Sequence, residues 1–263
     1  MTTSISPERW VRFLEDCAPG LTWLGSTLLE WAEMPPAARK AWHVTVQESR
    51  GGDVASLAAL HDATGLLLLA ALPDVPPPFL AEPEHVARLV GATESVEAVF
   101  TAAPHLLARR MPGTRRLVYT YESDAPTPNL SLVRAPPGSW EDLERMREMS
   151  EGDPEALTPP ELMGPARQGL VWLLIEEGSI AGMFRVEGVG RRRVQITDVC
   201  VHPAFRGRGV GTALLRSAAH VARTEYARGV VLAFPESEAG AKTAERAGYT
   251  PQQVLEDIWL AGS

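Results

Sequence analysis

The chain has 263 residues, 45% hydrophobic and 22% charged, with a formal net charge of −8. That balance belongs to a soluble globular protein of one large or two modest domains. Its acidity excludes a general nucleic-acid binder, whose surface must be basic to neutralise phosphates. Cys17 and Cys200 are the only cysteines. They offer neither a disulfide framework nor metal-ligand spacing, so a cytoplasmic protein with no metal site is expected. The start, MTTSISPERW, has no basic stretch leading into an apolar one, and the apolar run from Gly65 to Pro73 is shorter than the ~20 residues a bilayer span needs. Neither a leader nor a membrane segment is expected.

Ser6-Pro7-Glu8 reads as a helix start, with Trp10, Phe13 and Leu14 following on one face. A second helix is expected over Leu21 to Trp31. Strands are expected at Trp42 to Gln47, Ala55 to Leu60 and Leu66 to Leu72, separated by Gly51-Gly52-Asp53 and Asp62-Ala63-Thr64-Gly65. Pro76-Pro77-Pro78 breaks the chain; helical stretches are expected around Glu84 to Leu89 and Pro104 to Arg110, then a strand at Arg116 to Tyr121. Glu122 to Asn129 is polar and proline-bearing, and reads as a linker. Two domains, 1–125 and 126–263, are expected on that basis.

The second half is more regular. A short strand at Leu130 to Arg134 precedes a helix capped by Ser139, with Trp140, Leu143, Met146 and Met149 on one side, and another helix at Thr158 to Gln168. Leu170 to Ile175 and Ile180 to Val186 form a hairpin across Glu176-Glu177-Gly178-Ser179. Val194 to Val201 is a strand and Val210 to Ala222 an amphipathic helix. Val230 to Phe234, Ser237 to Ala247 and Val254 to Leu260 follow as strand, helix and strand.

The junction Val199 to Leu215 carries the chemistry. Gly207, Gly209 and Gly211 remove the side chains that would hold a ligand off the backbone. Successive N–H groups at a helix N-terminus can then face one anion. Arg206 and Arg208 add charge, and with Arg191, Arg192 and Arg193 they place five arginines within eighteen positions of an acidic chain. This points to a local anion site. A P-loop would need a lysine that is missing here, and a Rossmann fingerprint would need glycine where Thr212 stands. A plain glycine-rich turn is the other reading.

Arg206, Gly209 and Gly211, preceded by Val201-His202-Pro203, strongly resemble the cofactor loop [Q/R]-x-x-G-x-[G/A] of the GNAT superfamily of N-acetyltransferases, and Glu245-Arg246-Ala247-Gly248-Tyr249 resembles that family's C-terminal G-[FY] helix end. The resemblance covers roughly Leu130 to Leu260. It implies an α/β (α+β) fold with a mixed, largely antiparallel sheet flanked by helices, beside a second, N-terminal α/β domain. It also implies acetyl-CoA lying between splayed strands Val194 to Val201 and Val230 to Phe234. Val199, Cys200 and Val201 would hold the pantetheine arm and the thioester through their backbone. Arg206, Gly207, Arg208, Gly209, Val210, Gly211 and Thr212 would hold the pyrophosphate.

The chain departs from that family at three places. Ala244 stands where many members have a proton-donating tyrosine, Gln195 where some have a glutamate base, and Ser237 where an asparagine is common; Ser237 could cap a helix or touch the cofactor. Asp198 is the best remaining acid for the amine proton, as a catalytic group or as a salt-bridged strand residue, and Glu187 is a weaker one. His202 reads as a surface loop residue and Cys200 as a small strand hydrophobe. Tyr226 and Tyr249 could replace the phenol only if folding brought them to the thiol. The N-terminal half lacks such a loop and reads as a degenerate copy of the same module or as an unrelated domain. The expected activity is acetyl transfer to a small-molecule or peptide amine by a monomer or homodimer; the alternative is a non-catalytic acetyl-CoA-binding or scaffolding module.

Overall fold

A computed structural model describes residues 6–34, 42–78, 85–121, 132–135, 159–235 and 237–261. The expected linker at Glu122 to Asn129 and the helix capped by Ser139 lie outside these residues. The chain forms two compact units, Met1–Val118 with Gln252–Ser263, and Tyr119–Pro251. No helix among the described residues is long and apolar enough to cross a membrane.

In the first unit, helices α1 (Pro7–Cys17) and α2 (Thr22–Glu33) precede strands β1 (Trp42–Glu48), β2 (Val54–His61), β3 (Leu66–Ala71) and β4 (Arg88–Ala92), then helices α3 (Thr93–Ala102) and α4 (Pro104–Leu107). Strand β5 (Thr114–Tyr121) carries the chain into the second unit, and the last strand, β11 (Thr250–Trp259), returns to the first. β1, β2 and β3 pair antiparallel, β3 and β4 run parallel from Leu66↔Arg88 to Leu69↔Gly91, and β11 lies antiparallel to β4. Pro7 starts α1 as expected, but Ser6 makes no side-chain cap bond; its carbonyl accepts from Arg9 N–H.

The stretch expected to be helical at Glu84 to Leu89 enters β4 instead. Leu89 and Val90 are buried between β3 and β11, so sheet pairing overrides local preference. The helix begins only at Thr93, with Val96, Val99 and Phe100 on the core side.

The second unit contains strand β6 (Leu132–Arg134), helix α5 (Pro159–Arg167), the antiparallel strands β7 (Val171–Glu176), β8 (Ser179–Val189) and β9 (Arg193–Val201), helix α6 (Val210–Tyr226), strand β10 (Gly229–Pro235) and helix α7 (Glu238–Ala247). β10 runs parallel to β9. Leu162 and Ala166 of α5 pack with Val171, Leu173 and Met183. Helix α6 covers strands β8 to β10, burying Val210, Leu214, Ala218 and Ala222, the positions its fourfold repeat marks in the sequence. In both units, therefore, a run of antiparallel strands leads into a parallel strand that is followed by a helix.

A buried charge cluster ties β11 to β4 within the first unit. Asp257, whose side chain is 1% exposed, accepts two bonds from Arg88 and one at 3.0 Å from Arg116. Removing the carboxylate would leave two partly desolvated guanidiniums facing each other. Asp257→Ala should therefore lower stability by about 3–5 kcal/mol, read as a reduced denaturant midpoint.

Candidate functional site

Strands β9 and β10 pair only from Arg193↔Gly229 to Ile196↔Leu232. Beyond that point β9 continues through Thr197 to Val201 and β10 through Ala233 to Pro235 with no register between them. The break falls beside an irregularity in β9. Met183 and Arg185 of β8, two positions apart, face Cys200 and Thr197, three apart, so β9 carries an extra residue there. Asp198 sits in that irregularity with φ +50. A β-bulge bends its strand and raises the local twist, which turns the end of β9 away from its parallel neighbour.

The turn after β9 delivers the backbone to that open end. His202 Nδ1 accepts from Ala204 N–H at 3.2 Å, capping a short 3-10 turn over Pro203–Phe205. Gly207 and Gly209 both adopt left-handed conformations, φ +75 and +83, which side chains resist. Apart from the adjacent residues, no atom of the described residues lies within 4 Å of where a Cβ would stand at either. Gly209 is the N-cap of α6, and its carbonyl accepts the first intrahelical bond, from Ala213 N–H. The N–H groups of Val210, Gly211 and Thr212 precede that bond, so the helix leaves them for an external acceptor. Gly211 lies where a Cβ would come within 3.1 Å of Thr243 Cγ2, so its glycine lets α6 approach α7.

The loop arginines are held by the protein. Arg206 Nε donates to the Val201 carbonyl at 3.0 Å, tying the loop to the end of β9. Arg208 lies over the Phe205 ring and reaches Glu177 at 3.4 Å, an exposed pair that contributes little stability. Ser237 accepts from Gly240 N–H at 3.1 Å and caps α7. Cys200 packs against the cluster formed by Leu162, Leu173 and Met183, as its reading as a strand hydrophobe requires.

Asp198 is ion-paired. Arg185 Nε donates to its carboxylate at 2.5 Å, and the same guanidinium reaches Glu187 at 3.4 Å. Gln195, 2% exposed, donates from its amide to the other oxygen of Glu187 at 2.8 Å. The structure thus joins Asp198, Glu187 and Gln195 through Arg185, a residue the sequence reading missed. The available signal was the spacing of Arg185 and Glu187 in β8, which a strand places on one face.

Neither phenol reaches this region in a usable state. Tyr249 is buried and donates to the Leu215 carbonyl at 2.8 Å. Tyr226 ends the 17-residue α6, roughly 25 Å from its start. Ala244 is fully buried. Burial pushes the Tyr249 phenol well above its ordinary value of 10.0. The folded protein then keeps a proton that the unfolded chain releases, so this contribution is complete below about pH 10 and is lost as pH rises above it. Tyr249→Phe should cost about 1 kcal/mol at neutral pH and flatten the alkaline fall in stability, measured by denaturation at pH 7 and pH 11.

The acetyltransferase (GNAT) family model matches residues 139–249. A GCN5-related N-acetyltransferase from Sphaerobacter thermophilus shares 17% identity and superposes with a TM-score of 0.60, over 97% of this chain and 93% of that one. A GCN5-related N-acetyltransferase from Kribbella flavida shares 13% identity with a TM-score of 0.55, over 94% and 97% of the two chains. A tandem GNAT protein from the clavulanic acid biosynthesis pathway shares 16% identity with a TM-score of 0.50, over 98% and 95%. No curated protein matches the chain in sequence. The match to the acetyltransferase (GNAT) family model is thus confined to residues 139–249, while the GNAT fold, a mixed and mostly antiparallel sheet flanked by helices, extends along almost the whole chain.

Proposed function

We propose that the protein is an acetyl-CoA-dependent N-acetyltransferase acting on a primary amine, with residues 126–263 as the working module and 1–125 as a degenerate copy of it. The observation that carries this reading is the end of β9–β10 pairing at Ile196 and Leu232, on the strand that the glycine turn joins to the N-terminus of α6. The residues fit the cofactor. Two left-handed glycines with open space beside them and the first-turn N–H groups of α6 suit a pyrophosphate, and the ends of β9 and β10 beyond their shared register suit an extended arm between strands.

Gly207 to Thr212 would hold the pyrophosphate through their backbone, aided by Arg206 and Arg208, with Val199 to Val201 along the pantetheine arm and Ser237 at the start of α7. Acetyl-CoA supplies an acyl group activated as a thioester. The chain positions the two reactants and offers N–H groups to the oxygen on which charge develops. Asp198, on the bulge that opens the cleft, would take the proton released as the amine nitrogen bonds to the acyl carbon. Ala244 and Gln195 favour a second reading, a module that binds acetyl-CoA without turnover.

Calorimetric titration with acetyl-CoA, run beside thiol release on a panel of primary amines, separates these readings. Gly209→Val should abolish measurable binding, because the left-handed cap is denied to a branched side chain. Arg206→Ala should weaken binding about tenfold to a hundredfold, as expected for one charge-assisted bond of ~1.5–3 kcal/mol. Asp198→Asn should reduce turnover while acetyl-CoA affinity stays within about threefold. Tight binding without thiol release on any amine would favour the silent module, and unchanged affinity in Gly209→Val would reduce the loop to a turn.

A further inference from the structure

The polar network on β8 and β9 has an arrangement that simple pairing of two strands does not require. Arg185 sits directly opposite Thr197. On one side of it, Asp198 occupies the irregularity of β9 between Thr197 and Cys200; on the other, Glu187 occupies a second irregularity, on β8 between Val186 and Gly188. Asp198 is thereby lifted out of the pleat's alternation, while Glu187, two residues after Arg185, keeps to the face that Arg185 presents. Both end on the one guanidinium, Asp198 at Nε and Glu187 at Nη2. Bulges re-aim side chains, and the one in β9 brings Asp198 onto the arginine that Glu187 already reaches along β8.

We propose that Arg185 is a positioning residue for acyl transfer, aiming the Asp198 carboxylate at the incoming amine while Glu187, fixed by Gln195, holds the far side of its guanidinium. The proposal rests on the acyl-transfer reading above. Arg185 and Asp198 side chains are 15% and 17% exposed, so the pair is shielded enough to be rigid yet still reachable. The planar fork of arginine fixes two carboxylates at once, which a lysine ammonium cannot do with the same geometry. Gln195 is neutral at the position where the resemblance expected a glutamate. Its amide donates to Glu187 instead of accepting a proton, so that residue becomes a support. In the transfer step the C–N bond forms and the C–S bond breaks. The amine proton passes to Asp198 and the thiolate leaves, with Arg185 exchanging no proton.

A double-mutant cycle on the full chain tests this, with kcat, KM for the amine, acetyl-CoA affinity and melting temperature read for each variant. Arg185→Ala and Asp198→Asn should each lower kcat by about tenfold or more, with acetyl-CoA affinity within about threefold. Arg185→Lys, which keeps the charge and guards against misfolding, should recover only part of the loss. Placed on Asp198→Asn, Arg185→Ala should cost less than about a further twofold, because a residue acting through Asp198 has nothing left to aim. Glu187→Gln should lose less than Arg185→Ala. Losses that multiply, or that follow melting temperature across the set, overturn the positioning role. A loss in Glu187→Gln as deep as in Asp198→Asn overturns it too, since Glu187 would then be the proton acceptor. If the wild type binds acetyl-CoA yet acetylates no amine, the transfer reading falls and takes this role with it. Multiplying losses in an active enzyme remove this role alone.

Discussion

One residue in a left-handed conformation governs the second unit. A parallel pair such as β9 and β10 gains by continuing its hydrogen bonds, and four paired positions are in register before the pairing stops. Asp198, at φ +50, lies two residues past the last paired position, where β9 leaves regular extended geometry. An L-residue there costs roughly 1–2 kcal/mol, less for aspartate, whose short side chain tolerates the region. The ion pair to Arg185 offsets part of that cost locally. Everything downstream depends on this break. It leaves the end of β9 without its parallel partner, and the glycine turn then sets the first turn of α6 next to the opening. Val210 and Leu214, buried at the start of α6, keep that helix end fixed.

The first unit shows the same strand logic without the break. β3 and β4 are also in register over four positions, but β3 continues only through Ala70 and Ala71 afterwards, where β9 continues for five residues. The connection from β3 to β4 contains Pro73, Pro76, Pro77 and Pro78, and residues 75–78 are not helical. Proline lacks the N–H that a phosphate loop presents and restrains the residue before it to extended backbone. The span of sixteen residues between β3 and β4 therefore has no room for a helix the length of α6. What this unit keeps is structural: strands β2 and β3 buried on nearly every residue, and the Asp257 cluster joining the chain's last strand to β4.

The legible parts of the sequence were those encoded locally. Left-handed glycines, a helix start and a fourfold apolar repeat lie within twenty residues of one another, so the loop and α6 could be read directly. The strand β4 could not. Arg88 to Ala92 is too short for a clear period, and its partners, Leu66 to Leu69 and Leu255 to Trp259, are distant in sequence. The destination of β11 was hidden for the same reason. Asp198 was recognised as a charged residue in mid-strand. The register shift that brings it onto Arg185 belongs to the pairing of two strands and has no signature in either strand alone.

The proposed chemistry also explains why the chain can lack a phenol at 244 while keeping an elaborate carboxylate network. A primary alkyl ammonium with a pKa near that of lysine, about 10.4, is deprotonated in only about one molecule in a few thousand at pH 7. A thiol near 8.5 is a far better leaving group, able to depart as the thiolate and take its proton from water afterwards. General acid–base assistance, typically ~10²–10⁴-fold, is therefore needed more at the nitrogen than at the sulfur. Ala244, buried against neighbouring side chains, gives the helix α7 a packing contact in place of a proton donor. On the proposed reading, the carboxylates at 187 and 198, both bonded to one guanidinium, supply the ordered charge that meets this need at the nitrogen.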